Sequence, residues 1–142
     1  RRFATLRAVE AIRTDLHGSG WRDWLGHKRN FRYVDAQTSH RDLPALFARH
    51  RVLLDFAPNW DEGFNDRVVT ALGAGCRVVT SRNAAVAELG AAAPLVSGYS
   101  MHHPAPAPAI LQALAAPPAD PALREALRAE HGWARCVGPL LG

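Results

Sequence analysis

Apolar residues along this chain fall into two alternating rhythms. Phe3, Leu6, Val9 and Ile12 recur near the helical period and predict a helix over 3–12. "TDLHGSGW" has Leu16 as its main apolar position and reads as a short strand ending in a Gly-Ser-Gly loop. "FRYVDA" (31–36) alternates and carries aromatic and β-branched residues, which suits a strand. In "HRDLPALFARH" (40–50), Asp42 is a candidate N-cap, Pro44 sits in the first turn, and Leu43, Leu46 and Phe47 make an inner face. "RVLLDFAP" (51–58) is a short apolar run stopped by proline, the pattern of a buried parallel strand flanked by helices.

A helix over 66–73 would bury Val68, Val69 and Leu72, with Gly75 in the left-handed position behind it. "CRVVTS" (76–81) predicts the next strand. Asn83 caps a helix over 84–89 that Gly90 stops, and "APLVSGYS" (93–100) predicts another strand. Strands alternating with helices argue an α/β fold, a Rossmann-like parallel sheet flanked by helices. Residues 1–101 form that unit. Residues 102–108, "HHPAPAP", read as a Pro-rich linker or loop, because proline blocks both helix and ladder hydrogen bonds. Residues 109–142 read as a helical cover of the same domain, a short helix over 109–116 and then a longer amphipathic one.

Composition narrows the classes. With 48% hydrophobic and 21% charged residues in 142, the chain is expected to fold as one soluble globule. Its formal charge of +4 is the balance of 17 basic residues, of which Lys28 alone is a lysine, over 13 acidic ones. The arginines are scattered rather than gathered into a stripe, which argues against nucleic acid as a partner. No apolar run reaches the roughly 18 residues of a membrane helix. Cys76 and Cys136 are too few for a disulfide framework and read as reduced, buried thiols of a cytoplasmic protein. The sequence opens directly into helical periodicity, as a segment of a longer chain would.

The densest stretch is "NWDEGFNDRVVTALGAGCRVVTS" (59–81). Its loop, Pro58 to Asn65, lies beyond the carboxyl end of a predicted strand, where parallel α/β units bind ligands. A helix starting at Asn65–Asp66 offers free N–H groups and a positive dipole end, and so a place for phosphate. Gly63 lets the backbone approach a ligand closely. The same residues also serve as an ordinary helix start. Asp66 would have to turn from a phosphate, pairing with Arg67 or Arg41. Trp60 stands in the loop and could flank a base or sugar ring. Trp21, Trp24 and Trp133 read as core or cover.

"DEGFNDRVVTALGAGCRVVTS", followed by "NAAVAEL", resembles the nucleotide-sugar signature of GT-B glycosyltransferases. It is similar to the C-terminal, donor-binding domain of family 4-type enzymes and their CgeB-like spore-maturation relatives. "LPALFARHRVLLDFAPNW" matches their helix–strand lead-in, and "LHGSGW" looks like their glycine loop near the nucleotide. The resemblance spans about residues 3–100. It implies that Glu62 contacts the donor sugar, that the backbone at Gly63, Phe64 and Asn65 faces the diphosphate, and that Arg67 adds charge. It places Gly18, Ser19 and Gly20 on the nucleotide side and Thr70 near the ribose. Many members carry a second glutamate where this chain has Thr70, a weaker ribose partner. The resemblance further implies a nucleotide-diphosphate sugar as donor, no metal and no other cofactor. It also implies an N-terminal domain as partner, without which turnover is not expected.

Two alternatives remain. A degenerate, non-catalytic scaffold or binding module would explain Thr70. "ALGAGCRVVTSRNAAVAELGA" also looks like a short-chain dehydrogenase using NADP, but a Gly-rich turn before the helix and a Tyr-X-X-X-Lys are missing. His17, His40, His50, His102 and His103 show no metal-ligand spacing on one helical face and read as solvated, His17 excepted because it precedes the glycine loop.

Overall fold

The computed structural model describes residues 2–9, 11–56, 63 and 65–131, with the side chains of residues 2 and 3 left aside. Trp60, Asp61, Glu62, Phe64, Trp133 and Cys136 lie outside the described residues, as does the part of the expected helical cover beyond His131.

Helix α1 (Arg2–Arg7) leads into β1 (Thr14–His17), followed by α2 (Trp21–Leu25), β2 (Phe31–Val34), α3 (Leu43–Phe47) and β3 (Val52–Leu54). Then come α4 (Asp66–Ala74), β4 (Arg77–Ser81), a 3₁₀ segment over Ala84–Leu95, β5 (Val96–Tyr99), α5 (Ala107–Ala115) and α6 (Pro121–His131). All strand pairing is parallel, β1 with β2 and β3 with β4 with β5. The protein is therefore an α/β fold of parallel strands flanked by helices, as the alternation predicts. The sheet is nevertheless split: β1–β2 and β3–β4–β5 are separate ladders. β1 and β3 face one another across a crevice of about 220 Å³ lined by Thr14, Leu16, Val52 and Leu54.

Strand β4 shows how two layers arise from a period of two. Val78 and Val79, both fully buried, point to opposite faces. Val78 joins Phe47, Val68, Leu72, Leu89 and Leu127 in one core. Val79 joins Leu6, Leu16, Phe31, Tyr99 and Ile110 in the other. Burying each such aliphatic side chain contributes about 1.5–3 kcal/mol.

Helix α4 buries Val68, Ala71 and Leu72, the spacing of one helical face. It ends at Gly75, whose φ of 99° lies in the left-handed region, and the Gly75 N–H donates to Leu72 O at 3.0 Å. Helix α6 packs on α4 at Gly73, whose carbonyl accepts from Arg128 Nη2 at 2.6 Å. Asn83 caps the 3₁₀ segment as expected, its Oδ1 accepting from the Ala85 N–H at 2.8 Å. That segment continues past Gly90, which is a kink (φ 53°) rather than a stop. Asp42 takes the N-cap position of α3 but makes no side-chain cap bond; it accepts instead from Ser39 Oγ at 2.6 Å. Pro106 is buried, and α5 begins within the stretch expected to be a linker, packing on β3, β4 and β5. Among the described residues no helix is long and apolar enough to cross a membrane.

Candidate functional site

Across the split, the strand order runs β2-β1, then β3-β4-β5, so successive connections depart in opposite directions from the β1/β3 boundary. This is the switch point where open α/β sheets leave a crevice at the strands' carboxyl ends. A cleft of about 400 Å³ opens there, lined by His17 and Gly18 beyond β1, Asp55 and Phe56 beyond β3, and Arg67 from the first turn of α4. That volume lies in the range of small-ligand sites.

Asp55 organises the β3 side. It is 5% exposed. Its carboxylate accepts from Asn65 Nδ2 and from Thr80 Oγ1, both at 3.0 Å. Its carbonyl accepts from the Tyr99 hydroxyl at 3.1 Å, and its N–H donates to Val79 O at 2.8 Å. Three strand ends and the start of α4 are thus tied to one residue. Burial, first of all, pushes the Tyr99 phenol up to about 12.

The start of α4 is fixed from both sides. Asn65 occupies the N-cap in extended conformation, but its side chain is committed to Asp55 and makes no cap bond. The Gly63 N–H donates to Asn83 Oδ1 at 3.2 Å, and Asn83 Nδ2 donates back to the Gly63 carbonyl. Asp66 turns from the cleft as a phosphate reading requires, but its partner is His40 (3.2 Å) rather than Arg67 or Arg41.

On the β1 side, the Gly18 N–H donates to Val34 O at 3.0 Å, and Gly18 holds a φ of 109°. The Trp21 indole donates to His17 O at 3.0 Å, clamping the glycine loop. Below it, Arg32 grips both Asp15 carboxylate oxygens, with Nε 3.0 Å from Oδ1. That bond, aided by His50 against the opposing effect of burial, holds the Asp15 carboxyl below its usual range. His50 Nε2 lies 3.0 Å from Asp15 Oδ2, and its Nδ1 lies 3.0 Å from Leu46 O. The His17 ring meets the His50 ring edge-on at 6.1 Å. Desolvation, then the neighbouring His50, pull His17 below its ordinary value.

Of the residues singled out from sequence, Gly18 and Arg67 line the cleft together. Asn65 reaches it through Asp55, while Ser19 is exposed and Gly20 forms the left-handed N-cap of α2. Gly63 sits against Asn83. Thr70 lies apart: its hydroxyl donates to Asp66 O at 2.9 Å, and it lines a separate groove with Val69, Arg124 and Arg128. Glu62 and Phe64 lie outside the described residues. His50 is not a solvated loop histidine but half-buried and doubly bonded, because it stands in the turn before β3 within reach of both Leu46 O and Asp15. Trp24, read as core or cover, is 70% exposed. Asp55 is the residue that sequence reading missed; its signal was one acid inside the apolar run "RVLLDFAP".

A family described as glycosyl transferase-like matches residues 1–138. No curated protein and no solved structure matches the chain.

Proposed function

The chain belongs to the glycosyl transferase-like family, and within it we propose that it is the donor-binding half of a GT-B enzyme of the family 4 or CgeB-like type. It would hold a nucleotide-diphosphate sugar for transfer to an acceptor presented by an N-terminal domain. The observation that carries this reading is the cleft at the β1/β3 switch point, where the glycine loop and the first turn of α4 meet.

In this reading the nucleotide lies along Gly18, Ser19 and Gly20, where the missing side chains admit it to the backbone. Arg67 faces the diphosphate, its guanidinium giving two parallel donors. The amides at the start of α4, from Phe64 and Asn65 onward, add the helix's positive end. The Gly63 amide already serves Asn83, so its contribution to a diphosphate requires that bond to be exchanged. Glu62 contacts the sugar. Charge developing on the leaving diphosphate is met by arginine and oriented amides, so the transfer requires neither metal nor other cofactor.

A second reading, a non-catalytic module of the same fold, is favoured by one feature. The Thr70 hydroxyl is engaged within its own helix and lines another groove, leaving no second acid for the ribose. Titration of uridine or guanosine diphosphate into the chain separates the two. The donor reading expects saturable binding that Arg67→Ala weakens about tenfold, in line with loss of a charge-assisted contact. Silence through the millimolar range sinks it in favour of the module.

A further inference from the structure

We infer that Asp15, His17 and His50 form a binding site for a divalent transition metal of zinc type, bridging β1 to the start of β3. The inference is independent of the nucleotide reading. The three side chains bring one ligand atom each within 4.8 Å of one another, with all three residues partly buried. Asp15 and His17 share one face of β1, being two apart on a strand. His50 comes from the turn that leads into β3, across the split in the sheet.

The hydrogen bonds carry the argument. Leu46 O is an acceptor only, so the His50 Nδ1 that faces it at 3.0 Å carries the hydrogen. A neutral His50 then turns the lone pair of Nε2 toward Asp15 Oδ2, itself an acceptor, at 3.0 Å. Two lone pairs facing one another require a proton or a cation between them. His17 Nε2 is buried with no hydrogen-bond partner beside the same pair. A second proton on His50 would satisfy the first contact and leave His17 unexplained; a metal ion satisfies both.

The surroundings match what metal sites need. Ligating histidines commonly donate their other nitrogen to a backbone carbonyl, as His50 does to Leu46, and ligating carboxylates are held by a further donor, as Asp15 is by Arg32. Two imidazoles and a carboxylate are a zinc donor set, with a fourth position for water. Zinc bonds of about 2.0–2.2 Å suit the Asp15 Oδ2–His50 Nε2 pair, already 3.0 Å apart, and require only the His17 ring to move in toward it. Because Arg32 shares the carboxylate's charge, the site should bind less tightly than a closed four-ligand site. Cys76 is not a member: its single S–H is shared between Phe47 O and His50 O, each 3.1 Å from the sulfur.

The experiment titrates zinc or cobalt(II) into the metal-stripped chain. One equivalent is expected to bind, with the visible bands of four-coordinate cobalt, no thiolate charge-transfer band, and a raised melting temperature. His17→Ala and Asp15→Asn should each weaken binding by at least about tenfold with circular dichroism unchanged; the double variant His102→Ala/His103→Ala should leave it intact. Should His17→Ala fail to fold, Asp15→Asn and His17→Gln decide by the same criterion. The site is overturned if no saturable binding occurs, if binding survives both strand substitutions, or if cobalt–thiolate bands put the ion on a cysteine.

Discussion

At the scale of single residues, the molecule depends on polar groups set inside apolar surroundings. Asp55 is the clearest case, since a buried carboxylate is tolerated only when its oxygens are satisfied. Asp55→Ala removes the acceptor for Asn65 and Thr80 together and leaves two donors short of partners. Unfolding by urea should show a loss of about 3 kcal/mol, the sum expected for charge-assisted bonds and stranded donors. Thr80→Val deletes one donor along with its bond and should cost less. Equal losses in the two variants would mean that the carboxylate is not the hub. A second prediction concerns alkaline pH. Burial pushes the Cys76 thiol up from 9.0 to about 11 and the Tyr99 phenol from 10.0 to about 12. The folded chain keeps these protons where the unfolded chain loses them, so stability is undiminished below about pH 9 and falls as pH rises. Cys76 accounts for loss between about 9 and 11, Tyr99 for loss between about 10 and 12. Urea midpoints across this range should decline, and Tyr99→Phe should flatten the upper part of the decline.

At the scale of elements, the segment from α4 through β4 to the 3₁₀ segment is held by its ends. Gly75 sits at φ 99°, and a Cβ there would stand 3.3 Å from the Arg124 guanidinium. Arg124 can swing aside, but the left-handed backbone cannot be relieved, so Gly75→Ala should lower stability by about 1–2 kcal/mol. Thermal unfolding measures this directly, and a neutral result would mean that the turn is remodelled. These ends were also the most legible part of the sequence. Apolar spacing at Val68 and Leu72 is local information, although Ala71 rather than the expected Val69 completes the buried face, and so are a glycine after a helix and an asparagine before one. The same holds for β4, whose Val-Val pair is buried whichever way it faces. Strand β1 was harder, with Leu16 as its main apolar signal; its helical neighbour α1 stops at Arg7 rather than Ile12. What local pattern cannot carry is pairing at a distance. Asp15 and His50 are 35 positions apart, and Asn83 meets Gly63 across 20. No periodicity announces either contact, which is why His50 reads as a solvated loop residue and Gly63 as an open amide.

At the scale of the whole molecule, the decisive feature is the break between β1 and β3. A continuous ladder would share backbone hydrogen bonds across all five strands; here the two ladders are joined by side chains alone where β1 meets β3, among them the Asp15–His50 contact. The β3–β4–β5 ladder is sandwiched between two cores, whereas β1–β2 contributes to one of them. Local opening should therefore follow this division, since regions with fewer buried contacts open at lower free energy. Amide hydrogen exchange is expected to show slower exchange at Val78, Val79 and Thr80 than at Leu16 and Tyr33, although all five residues are strand positions. Uniform protection across both ladders would mean that the two open as one unit despite the missing backbone bonds. A boundary that opens readily also suits the cleft above it. The glycine loop follows β1 and Arg67 lies on α4 beside the other ladder, so a shift at this boundary would change the width of the cleft, at the expense of the core that Leu16 and Phe31 share with Val79 and Tyr99.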